Sequence, residues 1–196
     1  MEENNFRSIY EQLEREKPEL IERFKKIKLI ALDFDGTFTN NLVVHHDNGT
    51  EAIIRSKTDS MAIDLLKWAG VYDKENYQKT DHEIDVIILS KETNKVVQSV
   101  AQKTKIKCTQ SIEKKPKALD EERDKRNFDF SQVLFMGNDL NDMECMKKAG
   151  IGVAVADAME VVRKKADYVT KHRGGKGAFR EIVELIILSR KIHPIN

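Results

Sequence analysis

At 196 residues the chain fits a single domain, long enough to bury about 70% of the surface its unfolded form exposes. Its 34 Lys and Arg nearly cancel its 33 Asp and Glu, and the net charge of +1 gives no long-range field for nucleic acid or an acidic membrane. Cys108 and Cys145 lie far apart, with no zinc-like Cys/His spacing, and no apolar run nears the ~20 residues that span a bilayer. The expectation is a reduced, soluble, cytoplasmic protein with neither nucleic acid nor membrane as a partner.

In chain order, Phe6, Ile9, Tyr10, Leu13, Leu20, Ile21 and Phe24 recur at helical spacing, and Pro18 divides them. Residues 1–26 therefore read as a helical lead-in to a domain spanning 27–196. The run "KLIALDF" then predicts a buried strand, and "NLVVHHDNGTEAIIR" predicts a β-hairpin turning at Asp47-Asn48-Gly49. "TDSMAIDLLKWAG" predicts a helix with Thr58 or Asp59 as N-cap and Gly70 as its stop, which gives Trp68 and the methionines a plain reading as core. The strands "DVIILS", "QVLFMG" and "GVAVA" follow, separated by the helices "ETNKVVQSVAQKT", "PKALDEERDKR" and "NDMECMKKAG", with "QKTKIK" as a solvated helix end. Apolar runs without alternation, spaced by helices, mark strands buried on both faces, so the fold class is α/β: a doubly wound, Rossmann-like parallel sheet with a hairpin flap after its first strand.

In such a sheet, ligands gather at the carboxyl ends of the strands. Asp33 ends the first strand and Asp35 follows at i+2 across a turn that Gly36 permits. Two carboxylates there repel unless a cation or a substrate needs both, and a hard, oxygen-seeking ion such as Mg²⁺ meets that condition. Ser90 ends the second strand with a hydroxyl for a phosphate oxygen. Lys114, Lys115 and Lys117 cluster around Pro116 and offer a cation, and Gly137, Asn138, Asp139 and Asp142 supply further oxygens at a third strand end.

The order D-x-D-G-T, then Ser, then Lys, then G-N-D-x-x-D resembles the four motifs of haloacid dehalogenase superfamily phosphohydrolases. With the tail "AVADAMEVVRKKADYVTKHRGGKGAFREIVELI" and no long insertion, residues 27–190 look most like the capless branch. That branch holds the 3-deoxy-D-manno-octulosonate 8-phosphate phosphatases, the 2-keto-3-deoxynononate 9-phosphate phosphatases and the C-terminal domain of animal CMP-sialate synthetases. The resemblance implies that Asp33 attacks phosphorus, that Asp35 is acid and then base, and that Ser90 and Lys115 hold phosphoryl oxygens. It also implies that Thr37 supports the motif loop beside the substrate. Mg²⁺ would be held by Asp33, the Asp35 carbonyl and Asn138 or Asp139, with Lys114 and Lys117 as alternatives to Lys115. It further implies a homotetramer in which "HRGGKGA", residues 172–178, reaches a neighbouring active site and brings Arg173 or Lys176 to a sugar carboxylate. His45 and His46 read as surface residues on the hairpin.

Three departures from the octulosonate phosphatases touch substrate choice. Asn138 brings an amide where they have an acid, Thr58-Asp59 replaces an Arg-Asp pair, and Lys176 replaces an Arg and so loses its bidentate fork. The expected activity is Mg²⁺-dependent hydrolysis of a phosphorylated 2-keto-3-deoxy sugar acid. The alternatives are an assembly domain without catalysis or a phosphatase for another small metabolite.

Overall fold

The computed structural model describes residues 5–193; residues 1–4 and 194–196, the outer ends of the expected lead-in and main domain, lie outside the described residues. Helices α1 (Asn5–Glu16) and α2 (Pro18–Lys25) meet at Lys17, where Pro18 breaks the hydrogen-bond ladder but opens the next helix with a preset φ. Strand β1 (Leu29–Leu32) leads through the turn Phe34–Phe38 into the hairpin β2 (Val43–His45) and β3 (Glu51–Ile53), then α3 (Lys57–Trp68). Next come β4 (Asp85–Leu89), α4 (Lys95–Thr104), β5 (Lys107–Thr109), α5 (Lys115–Asp124) and β6 (Val133–Gly137). The chain closes with α6 (Met143–Lys148), β7 (Ile151–Ala154), α7 (Glu160–Arg163), β8 (Tyr168–Val169) and α8 (Ala178–Ser189).

The six-stranded sheet has the order β5-β4-β1-β6-β7-β8 and is parallel throughout. From β1 the chain winds one way to β5, then returns to β6 on the other flank, so the winding direction reverses beside β1. Leu29, Ile30, Ala31 and Leu32 are fully buried, as a central strand covered on both faces requires. Helices α1, α2 and α8 pack together with α3 against α8, while α5 meets α6, as right-handed crossovers on the two faces demand. The lead-in helices bury Ile9, Leu13, Leu20, Ile21 and Phe24 in the same core as the sheet.

Three local expectations are corrected. The N-cap of α3 is Ser56, whose hydroxyl accepts from Thr58 N–H, because Asp59 turns inward to cap α8 instead. Trp68 and Met61 are 43% and 40% exposed: α3 presents Ala62, Ile63, Leu65 and Leu66 to the core, which leaves positions 61 and 68 on its outer side, and Met159 is exposed too. In "QKTKIK", Lys105 adopts a left-handed C-cap, Ile106 is buried and Lys107 begins edge strand β5.

Candidate active site

Register brings the chemistry to one edge. Leu32 pairs with Ile88 on one side and Met136 on the other, so Asp33, Ser90 and Gly137 emerge together at the carboxyl ends of the three middle strands. Asp33 N–H still donates to the Met136 carbonyl at 3.0 Å, which fixes its backbone as an extension of β1. The chain then bends sharply: Gly36 sits at φ 76°, and a Cβ on it would lie 2.2 Å from the amide nitrogen of Asn138. Only glycine lets these two motif loops touch.

Lys115, the first residue of α5, is essentially buried and lies between two carboxylates. Its Nζ is 2.6 Å from Asp33 Oδ1 and 2.8 Å from Asp142 Oδ1. The other Asp142 oxygen accepts from Asn138 N–H at 2.9 Å and Asp139 N–H at 3.3 Å, so Asp142 is committed to the lysine and the loop. Burial lowers the Lys115 pKa, but its two carboxylates more than offset this and hold it above its usual value. Burial, and then the charge of Asp142, push the Asp33 carboxyl up to about 7 against the pull of Lys115. One lysine therefore underbalances two buried acids. Asp35 is also raised, by burial first and the charge of Glu92 second, which favours the protonated form a general acid needs.

These groups open onto a cavity of about 440 Å³ lined by Asp33, Asp35, Asn41, Ser90, Lys115 and Asn138 together with Lys91, Glu92, Thr93, Asp139 and Asn141. The structure thus brings together Asp33, Asp35, Ser90, Lys115, Asn138 and Asp139, and it selects Lys115 over the exposed Lys114 and Lys117. Thr37 is placed differently: fully buried and absent from the cavity lining, it aims its hydroxyl at Asn138 Oδ1, 3.4 Å away, and ties the two motif loops. Arg173 and Lys176 are exposed and outside this cavity. Asn41, Lys91, Glu92, Thr93 and Asn141 were not singled out from the sequence, although Lys91 and Asn141 adjoin the motif residues Ser90 and Asp142 and could have been found by that adjacency.

Among the described residues, no three His, Cys, Asp or Glu side chains converge as a metal cluster. A cation here would draw on the Asp33 carboxylate, the Asp35 carbonyl, the Asn138 amide oxygen and Asp139, all hard oxygen donors. With the uncompensated charge at Asp33, that set fits a hard divalent ion.

The model of the haloacid dehalogenase-like hydrolases matches residues 41–182. KdsC of Escherichia coli K12, a 3-deoxy-D-manno-octulosonate 8-phosphate phosphatase, is 29% identical over 173 residues, covering 88% of this chain and 85% of its own; that of Yersinia pestis is 30% identical, covering 88% and 86%. Among solved structures, the octulosonate phosphatase of Moraxella catarrhalis, in complex with magnesium, phosphate and its sugar acid, superposes with a TM-score of 0.79 at 28% identity, over 89% of this chain and 94% of its own. A HAD-family hydrolase of Streptomyces avermitilis reaches 36% identity and a TM-score of 0.73, over 83% of this chain and 86% of its own. Among the described residues, no helix is long and apolar enough to cross a membrane. With its uncapped sheet and its buried Asp33–Lys115–Asp142 group, the chain belongs to the haloacid dehalogenase-like hydrolases, in their KdsC-like branch, and is a phosphatase.

Proposed function

We propose that this phosphatase hydrolyses the phosphomonoester of a 2-keto-3-deoxy sugar acid of eight or nine carbons, through an aspartyl-phosphate on Asp33. The observation that carries the reading is the buried lysine shared by two carboxylates beside Ser90, in a cavity lined by polar and charged residues. Phosphate belongs at the floor, on Ser90 and Lys115, and the hydroxyls of a sugar chain suit Asn41, Thr93 and Asn141 above it. The relatives that act on octulosonate 8-phosphate support the same substrate class.

In the first step a carboxylate oxygen of Asp33 bonds to phosphorus, the phosphorus–sugar oxygen bond breaks, and Asp35 gives that oxygen its proton. Asp35, now ionised, takes a proton from water, whose oxygen attacks the same phosphorus and frees Asp33 and inorganic phosphate. Ser90 and Lys115 hold the phosphoryl oxygens through both steps. Asp33, the Asp35 carbonyl, Asn138 and Asp139 would hold Mg²⁺, with Asn138 donating as a neutral ligand. When bound, the ion offsets the repulsion between the Asp33 carboxylate and the phosphate dianion.

The hairpin exposes Leu42, Val43, Val44 and Ile54, an apolar surface that supports assembly into a homotetramer. In that assembly Arg173 and Lys176 would serve a neighbour's cavity. Two free thiols and a sugar phosphate substrate fit a cytoplasmic setting. A panel of phosphorylated sugar acids and common phosphometabolites, assayed with Mg²⁺ and with chelator, tests the reading. Highest kcat/KM on a 2-keto-3-deoxy sugar acid phosphate, lost on chelation, is expected; turnover of a different phosphate class alone would replace the substrate, and no turnover at all would favour an assembly role.

A further inference from the structure

The loop that carries Asp35 is closed by the Thr39 N–H bond to the Phe34 carbonyl and tied to Asn138 through Thr37, and its opposite side rests on another segment of the chain. Between Phe34 and Phe38 it departs from helical geometry at both Asp35 and Gly36, and the exposed hairpin follows directly. Something must fix its height above the cavity, and the structure shows what touches it. Gly174 and Gly175, both buried, lie flat against this loop. A Cβ on Gly174 would stand 1.9 Å from the Gly36 carbonyl oxygen, and one on Gly175 would stand 2.4 Å from the Thr39 carbonyl carbon. Gly175 N–H donates to the Thr37 carbonyl at 3.0 Å, and the Gly175 carbonyl accepts from Ser56 N–H at 3.2 Å. One glycine thus bonds to the loop entering the hairpin and to the residue leaving it.

Three acids hold the diglycine in place. Asp157 Oδ1 accepts from Gly174 N–H at 2.9 Å. Asp59, buried in α3, accepts from Gly177 N–H at 2.9 Å and Arg180 N–H at 3.2 Å. Glu181, buried in α8, accepts from Lys171 N–H and His172 N–H at 3.0 Å, from Tyr168 Oη at 2.6 Å, and its Oε2 lies 2.5 Å from His172 Nδ1. Burying two carboxylates is costly unless backbone N–H groups surround them, and here they do. The glycine-rich turn is therefore a rigid wedge within its own subunit, and its pressure falls on the residue next to Asp35.

We propose that Gly174 and Gly175 are positioning residues for Asp35: the wedge sets the distance of its carboxyl from the leaving-group oxygen, while Asp33 is held independently by β1. This inference rests on the acid role given to Asp35 above. Its signature is dependence on the leaving group, because an aryl oxygen departs readily without a proton whereas a sugar or alkyl oxygen needs one.

The test compares kcat/KM, which reports formation of the aspartyl-phosphate and not its shared hydrolysis, on 4-nitrophenyl phosphate and on an alkyl or sugar acid phosphate for wild type, Asp35→Asn, Gly174→Ala and Asp157→Ala. Asp157 is exposed and its substitution releases only the Gly174 N–H, so that variant reports even if Gly174→Ala does not fold. The expected result is that Asp35→Asn loses on the order of a hundredfold more activity on the alkyl ester than on the aryl ester. Gly174→Ala should show the same selectivity at about tenfold, and Asp157→Ala at about threefold, the size of one weakened hydrogen bond. A wedge that merely stabilises the fold would lower both substrates equally, and equal loss in Asp157→Ala overturns the inference. If Asp35→Asn itself lost equally on both, the acid assignment would fall instead.

Discussion

Two buried ion clusters occupy opposite ends of the same sheet, and they are balanced differently. At the amino ends of the strands, Arg126 bonds to Asp85 at the head of β4 and lies 2.8 Å from Glu122 Oε2, while Lys125 and Lys107 reach the same Glu122 at 2.7 Å and 3.6 Å. Burial alone would raise Glu122, but bonds from Lys125 and Arg126 and the charge of Lys107 hold it below its usual value. At the carboxyl ends, one Lys115 serves Asp33 and Asp142, and Asp33 rises to about 7. Both clusters are buried, so burial does not separate structure from chemistry. Charge balance does, although burial raises Asp85 too against the pull of Arg126: the surplus of cations at one end closes a joint, and the deficit at the other leaves room for a cation and a phosphate.

The largest break in that contrast comes from removing one member at each end. Asp33→Asn should cut phosphate release by about 10⁴-fold or more, since no other carboxylate takes over the attack. Urea unfolding of the same variant without metal should show equal or greater stability, because one of the two acids crowding Lys115 is gone. Arg126→Met should do the reverse. Stranding Asp85 and Glu122 in the interior costs about 3–5 kcal/mol in the same assay, with kcat/KM of the folded protein unchanged.

The pH dependence should also separate the ends. In metal-free protein, the raised Asp33 pKa contributes stability at low pH, below the unfolded value, that is lost as pH climbs through about 7. The lowered Glu122 pKa works the other way: its contribution is complete above the unfolded value and is lost as pH falls through the folded one. Melting temperature against pH should therefore fall between about pH 4 and pH 7, a limb to which the raised Asp35, Asp59 and Asp85 also contribute, and Asp33→Asn should make that fall smaller while Glu122→Gln reduces the acid limb. A wild-type curve that kept rising through neutrality would contradict the charge deficit at Asp33.

The smallest expected effect sharpens the picture at the rim. Lys176→Ala should raise KM for a sugar acid phosphate up to about fivefold with kcat intact, the worth of one exposed cation on a carboxylate. An unchanged KM would remove Lys176 from substrate binding, and the same measurement on Arg173→Ala decides the other candidate.

The strand ends were legible because their signal is local. Asp33, Ser90 and Gly137 each close an apolar run, and parallel register alone brings them within one residue of level. The inward lysine, Lys115, was legible from the order of the motifs, whereas spacing alone left Lys114 and Lys117 open until α5 was seen to start at Lys115. Nor was the exposed face of Trp68, since the helical stripe of α3 admits two readings until α8 is docked. The two-residue β8 and three-residue β5 are too short to show a pattern. The contact of "GGKGA" with Gly36 was not legible for a related reason: it joins distant parts of the chain, and glycine spacing carries no record of what lies against it. The Asp85–Arg126 pair had one faint signal, an acid at the head of a fully apolar strand.

The most direct measurement is chemical trapping of the intermediate. Protein incubated with a ³²P-labelled sugar acid phosphate and Mg²⁺, quenched in acid and digested, should carry acid-stable, hydroxylamine-labile label on the peptide containing Asp33. Asp33→Asn should carry none. Label on another peptide, or turnover of wild type without any trapped phosphoprotein while Asp33→Asn stays active, would contradict the assignment of Asp33 as nucleophile.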